Sequence, residues 1–264
     1  MTQKTMKINL GDVQTTALIP LSIKANETKR PNARVKDEIA VEIIDSLGID
    51  TRPYDKFMSH EGVIARTVML DRQLKQLIND FPDAVIVNLG CGFDNRFSRI
   101  DNGKILWFDV DLPDSIETRK KVFPQRNRVT MITGNVLESD WTTNIPKNKK
   151  TILIAEGLFM YLTISEIQTA ISICKEAFPH ATLIAEQNSP ILVKHQKHHD
   201  TVKNTNAVFQ SGTKSGQEIA DLVEGVRLVE EHSFNEEMKK HSFRGKLFAL
   251  LLPNINDRWA TFEW

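Results

Sequence analysis

In the stretch Val85 to Ile100, VIVNLGCGFDNRFSRI, an apolar run breaks at two glycines around a cysteine, and a helix-like pattern follows. Gly90 and Gly92 put no Cβ between the backbone and a ligand, and the first turn of the next helix offers free N–H groups. Such a turn suits a nucleotide, although glycines also serve simply to turn a strand into a helix. The next apolar run, KILWFDVD, ends in Asp109 and Asp111, about 20 residues after Gly90, where a carboxylate can accept from both hydroxyls of a ribose. Asp111 is the favoured ribose ligand. Asp109, on the same face of a strand, is its neighbour, and one of the two acids can instead be a solvated strand-end or N-cap residue before Leu112-Pro113.

Asn95 stands where a dinucleotide fingerprint carries its third glycine, and no Gly-Lys-Ser/Thr follows. A pyrophosphate or triphosphate is therefore disfavoured. S-adenosyl-L-methionine has a ribose and an adenine but no phosphate, and its methionine end needs an anion for the ammonium and a cation for the carboxylate. In TGNVLESDW, Asn135 and the backbone near Val136 can hydrogen-bond the adenine edge, although asparagine is also common in turns. In ILIAEGLFMYL, Glu156 falls at the carboxyl edge of a sheet, where open α/β sheets bind ligands. A buried carboxylate needs a partner, either the methionine ammonium or a structural lysine or arginine. Tyr161 can hydrogen-bond an acceptor oxygen or simply pack.

KHQKHHD spaces His195, His198 and His199 so that two imidazoles could share a helical face and hold a metal. A lid or wall beside the acceptor, or a solvated helix, is the preferred reading, and no metal is expected. Cys91 has no histidine in its motif, and the turn needs a small side chain, so it reads as structural. Trp107 and Phe108 read as core, although an aromatic here can also flank adenine.

These residues need a scaffold, and the hydrophobic periodicity supplies one. KDEIAVEIIDSLG sets Ile39, Ile43, Ile44 and Leu47 on one helical face ending at Gly48, and Val63 to Phe81 repeats the pattern. From Ala84 the pattern changes to AVIVNL, KILWFDV, RVTMIT, TILIAE and ATLIAE, separated by helical stretches such as Ser165 to Ala177. These are buried strands of βαβ units. Val226 to Phe234 and RWATFEW add two more, the second after a Leu-rich helix from about Lys246 to Leu252. The expectation is one domain over residues 1–264. Residues 1–82 form a mainly helical cap, and 83–264 form an α/β core of seven mostly parallel strands with helices on both faces and an acceptor-site insertion around 188–224.

Lysine plus arginine equals aspartate plus glutamate at 34 each among 264 residues, so no global field draws the chain to nucleic acid or an anionic membrane. Two cysteines make neither a disulfide framework nor a paired zinc site, which points to a reducing cytoplasm. The longest aliphatic run, LFALLL, is far short of the roughly 20 residues of a membrane helix. Oligomeric state is not readable.

RTVMLDRQL, VIVNLGCGFDNRF, WFDVDLP and ILIAEGLFMYL, in this order, resemble the leucine carboxyl methyltransferase family, and within it a bacterial branch of tetracenomycin-type polyketide O-methyltransferases. The resemblance spans nearly the whole chain. It implies a class I methyltransferase fold using S-adenosyl-L-methionine, with Arg66 on the methionine carboxylate, Gly90 against the cofactor, Asp111 on ribose, Asn135 and Val136 at adenine, and Glu156 near the methionine amine. Lys24 is a weaker cofactor candidate, its alternative being a solvated helix face. His199 and Asp200 fall nearest the acceptor pocket. The family often has aspartate at the position of Asn135; an asparagine can still accept and donate at adenine.

The expected activity is an O-methyltransferase forming a methyl ester on a small-molecule carboxylate, with Tyr161 and His199 on the acceptor side. The alternatives are a phenol or hydroxyl acceptor, an NAD(P)-dependent oxidoreductase on a similar sheet, and a non-catalytic S-adenosylmethionine sensor.

Overall fold

Five parallel strands carry the expected apolar runs: β1 (Val85–Leu89), β2 (Leu106–Asp111), β3 (Val129–Thr133), β4 (Thr151–Ala155) and β5 (Ala181–Gln187). β6 (Arg227–Ser233) and β7 (Arg258–Glu263) complete a seven-stranded sheet in the order β3-β2-β1-β4-β5-β7-β6, with β7 antiparallel to both its neighbours. The computed structural model describes residues 11–202, 205–241, 243–251 and 256–264, without the side chains of residues 12, 198, 244, 248 and 251. Leu252, the expected end of the Leu-rich helix Phe243–Leu251, lies outside the described residues.

Alternation along the strands builds two cores. Val85, Val87, Leu89, Phe108 and Val110 face the helix Ile164–Ala177 through Ile167, Ala170, Ile171 and Cys174. Ile86, Trp107, Ile152, Ile154 and Ile184 face the helix Phe57–Asp80 through Ala65, Met69, Leu70, Leu74 and Ile78. Each such aliphatic side chain contributes about 1.5–3 kcal/mol by leaving water. Trp107 and Phe108 are core residues, as expected.

Local signals fix the helix ends where the sequence shows them. Asp37 accepts from Ala40 N at 3.1 Å to start Glu38–Leu47, and Gly48 ends that helix at φ 62°. Thr163 and Glu166 form a capping box before Ile164–Ala177. The helix Phe57–Asp80 begins six residues earlier than its apolar pattern suggests. Its cap is remote in sequence: Asp200 Oδ2 accepts from the backbone N–H of Met58 at 3.1 Å and of Ser59 at 3.2 Å. Before it come the helices Asp12–Thr15, Leu18–Thr28 and Glu38–Leu47, so the described part of the N-terminal region is mainly helical.

Candidate active site

Strand order reverses between β1 and β4, and ligands of open α/β sheets bind outside the carboxyl ends at such a switch point. A cavity of about 770 Å³ lies there, within the usual range of small-molecule sites. Asn88, Gly90 and Gly92 line it from the end of β1, Asp111 from β2, Asn135 and Val136 after β3, Glu156 after β4 and Glu186 from β5. The N-terminal helices close it with Thr16, Ile19, Lys24, Met58 and Arg66.

The glycine turn is held from behind. Gly90 and Gly92 have φ of 63° and 45°, a region in which a side chain is strained, and a Cβ on Gly90 would meet Leu158 at 3.0 Å. Arg119, from the helix Pro113–Val122, donates to the carbonyls of Gly92 at 2.9 Å and Asp94 at 2.6 Å. The same guanidinium binds Asp109 Oδ2 at 3.1 and 2.8 Å. Asp109 also accepts from Trp107 Nε1 at 2.8 Å, is fully buried and does not line the cavity. Its expected place in the cofactor site is therefore corrected: Asp109 anchors the arginine that positions the turn.

Asp111 is half-buried at the cavity wall. Its carboxylate accepts from Gly92 N and Leu112 N, both at 2.7 Å, and burial pushes its pKa up against those bonds. The Ser115 side chain also donates to this carboxylate, which leaves one further lone pair that can accept a hydroxyl. Asn135 Oδ1 accepts from Leu137 N at 3.1 Å, an Asx-type turn, while its amide N–H groups have no partner among the described residues. Cys91 is buried, and burial drives its thiol well above the ordinary range, as its structural reading requires.

Beyond the turn lies a buried charge ladder. Lys24 is 2% exposed, so it is no solvated helix face, and it pairs with Asp94 at 3.0 Å. Asp94 also takes Arg96 at 2.9 Å, and Arg96 reaches Asp71 at 2.7 Å and Glu156 at 2.6 Å. Glu156 meets Arg66 at 2.8 Å, and Arg66 binds both oxygens of Glu186 at 3.0 and 2.9 Å. Burial would raise the pKa of Glu156, but Arg96 and Arg66 outweigh it and hold the group ionised below its ordinary range. The partner that Glu156 needs is thus present as two arginines.

The other end of the cavity is built from distant segments. Tyr161 packs on Phe209 with ring centroids 5.6 Å apart and reaches Thr16 with its hydroxyl; burial raises its pKa. The histidine segment after β5 forms a cavity wall, with His195 and His199 lining it; the side chain of His198 lies outside the described ones. His199 Nδ1 accepts from Val202 N at 3.2 Å and Thr201 N at 3.4 Å. Burial lowers its pKa against the pull of Asp200, and the two backbone donors on Nδ1 leave Nε2 as the nitrogen that can donate.

The sequence profile of the family described as Leucine carboxyl methyltransferase matches residues 17–174, more than half of the chain and every motif from Lys24 to Tyr161. The chain belongs to the leucine carboxyl methyltransferase family. It is accordingly an S-adenosylmethionine-dependent methyltransferase. It is 28% identical over 228 residues to the tetracenomycin polyketide synthesis O-methyltransferase TcmP of Streptomyces glaucescens, covering 86% of this chain and 84% of that one. It is 26% identical over 181 residues to the S-adenosyl-L-methionine-dependent methyltransferase dpfgK of Gibberella zeae, covering 61% and 60%. Among solved structures, a methyltransferase described as putative from Thermobifida fusca superposes with a TM-score of 0.60 at 11% identity over 94% of this chain and 93% of its own. Magnesium protoporphyrin IX methyltransferase from Synechocystis gives 0.52 at 14% identity over 86% and 99%. Both share the fold of this leucine carboxyl methyltransferase family member.

Sequence reading missed Asp94, Arg96, Glu186, Asn188 and Asp257. The need of Glu156 for a cation was the one signal for Arg96, since the glycine turn lies on the adjacent strand. Nothing local marks Asp257, which reaches the cavity from just before β7. Among the described residues, no helix is long and apolar enough to cross a membrane.

Proposed function

We propose that the chain transfers a methyl group to the carboxylate of a small, largely apolar metabolite, forming a methyl ester. The single observation that carries this reading is the hydrogen bonding of His199 Nδ1. With Nδ1 engaged by two backbone N–H groups, the imidazole offers a donor on Nε2 and no lone pair for a substrate proton. A donor suits an acceptor oxygen that arrives ionised; a carboxylate does so near pH 7, whereas a phenol does not.

Bound S-adenosylmethionine supplies a methyl group on a sulfonium, whose charge disappears as the methyl leaves. Asp111 would hold the ribose hydroxyls, and Asn135 and Val136 the adenine edge. Arg66 and Lys24 would face the methionine carboxylate, and Glu156 the ammonium. This end of the site fits a zwitterion: Arg66 and Glu156 stand side by side, so a group with one charge of each sign can lie against the pair without burying net charge. Tyr161 and His199 orient the acceptor oxygen, and Ile19, Met160, Leu192 and Phe209 exclude water from it. The relative named for tetracenomycin polyketide synthesis supports a polyketide-like acceptor.

A hydroxyl acceptor is the second reading. Asp257 favours it: burial first, then the charge of Glu186, push its carboxyl up to about 8, where it could take a proton from a phenol. Incubation with methyl-labelled S-adenosylmethionine and aromatic carboxylic acids, followed by mild base, separates the two. Ester label is released as methanol. Label that stays on a hydroxyl-bearing acceptor through the base step would overturn the carboxylate assignment.

A further inference from the structure

The ladder between β5 and β7 ends with Glu186 opposite Trp259 and Gln187 opposite Arg258. Continuing the antiparallel register by one residue brings Asn188 opposite Asp257, a placement secured by the Ser189 backbone N–H, which donates to the Asp257 carboxyl. Directly opposite residues point to the same face, with Cβ atoms about 4.5–5.5 Å apart. That face also carries Glu186, two residues before Asn188. All three line the cavity, on the β5–β7 side of the sheet, across β1 and β4 from the strand ends that carry Asp111 and Asn135.

Their hydrogen bonding is unequal. Glu186 is filled by Arg66 and by the backbone N–H of Gly157 at 2.7 Å. Asn188 is 2% exposed, and neither its Nδ2 nor its Oδ1 has a partner among the described residues. Asp257 Oδ1 is likewise unpaired there. A buried polar atom left unpaired costs about 1–3 kcal/mol, so one amide and one carboxyl side by side are an expensive wall unless something bonds to them. Packing alone would be better served by leucine or valine. The neighbouring cavity residues Leu192, Phe234 and Met238 are apolar, and the Asn256 amide is engaged by Asn235, Met238 and the Asp257 backbone N–H, so Asn188 and Asp257 keep unpaired polar atoms that can read orientation at this end.

We propose that Asn188 and Asp257 form a recognition subsite for a neutral hydrogen-bonding group of the acceptor, a hydroxyl or a carboxamide, distant from the carboxylate that is methylated. The asparagine amide both donates and accepts, which matches a group that does the same. Burial raises the Asp257 carboxyl, which keeps this subsite uncharged near neutral pH and unsuited to a second carboxylate. The inference rests on the methyl-ester reading for the identity of the acceptor's other end, and on the geometry of β5 and β7 for the subsite itself.

Paired acids test it: benzoate against 3-hydroxybenzoate and 3-carbamoylbenzoate, and 2-naphthoate against its hydroxy and carbamoyl derivatives. Binding to the protein saturated with S-adenosylhomocysteine is read by calorimetry. The expected result is that the substituted acid of at least one pair binds about 10-fold or more tightly than its parent. In Asn188→Leu the preference falls toward one while the thermal midpoint holds or rises, since an unpaired buried amide is gone. Asp257→Asn, which keeps the shape and the neutral polar group, retains most of the preference. No binding of any pair, equal binding within every pair, or an unchanged preference in Asn188→Leu would each overturn the subsite. A midpoint that drops in Asn188→Leu would do so as well, because the amide would then be structural. Failure of the methyl-ester reading looks different: preferential binding persists, but no base-labile label appears on the bound acid.

Discussion

The two ends of the cavity differ in how much of their polarity is already paired. At the cofactor end, Lys24, Asp94, Arg96, Glu156 and Arg66 form a continuous series of buried ion pairs, and Arg119 with Asp109 clamps the glycine turn. At the acceptor end, His199 presents one donor, while Asn188 and Asp257 keep unpaired polar atoms. The cofactor is the same for every reaction of such an enzyme, so its half can be preorganised. On the proposed reading, the acceptor half leaves groups unpaired where a particular molecule must be told from others, since unpaired polar groups penalise the wrong ligand strongly.

The largest effect that would break this contrast comes from the paired end. Arg96→Leu strips a fully buried guanidinium from Asp71, Asp94 and Glu156. Denaturant unfolding should show a loss of about 3–5 kcal/mol or more. A loss within about 1 kcal/mol would mean that the ladder is not holding the turn. Next, Asp111→Ala should weaken S-adenosylhomocysteine binding by roughly 10–100-fold with little change in unfolding free energy, as expected for lost hydrogen bonds to a charged group. Asp109→Asn should do the reverse, costing mainly stability. Calorimetry and unfolding on the two variants check the distinction, and similar losses in both quantities for both acids would erase it.

At the acceptor end, His199→Phe should lower kcat by about 100-fold, the usual cost of one oriented donor, while His199→Gln should stay within about 10-fold because its amide can still donate. Equal loss in both variants would point to a base instead. The last effect concerns pH and stability. Asp257 is held up from an ordinary 3.8 to about 8 in the fold, so between those values the native state carries the extra proton. This group's contribution therefore declines as pH rises from about 4 to about 8. The thermal midpoint of Asp257→Asn, measured relative to the parent, should increase across that window. A constant difference would show that the carboxyl ionises normally.

The glycine-turn half of the cavity was legible because its lining residues sit at strand ends in regular order. Gly90, Asp111, Asn135 and Glu156 each follow an apolar run, and the periodicity that reveals the strands also places the residues. Asp109 misled because alternation says which face a residue occupies and not how deep it lies; the partner that buries it, Arg119, is on the following helix. The five parallel strands were readable from their apolar runs, and the two antiparallel ones were placed after them, but the start of Phe57–Asp80 was not readable, since its cap, Asp200, is 142 residues away from Met58. The acceptor half was opaque for the same reason. Thr16, Tyr161, Asn188, His199 and Asp257 come from five separated segments, and only the pairing of β5 with β7 puts two of them face to face.

The most direct test of the account is the pH dependence of methyl transfer in single turnover, at saturating cofactor and acceptor. With an acceptor that arrives as a carboxylate and a histidine fixed as a donor, the rate constant should be flat from about pH 6 to about pH 9. A rate that climbs about tenfold per pH unit through that range, and loses the climb in Asp257→Asn, would contradict the account and make the reaction a base-assisted transfer to a hydroxyl.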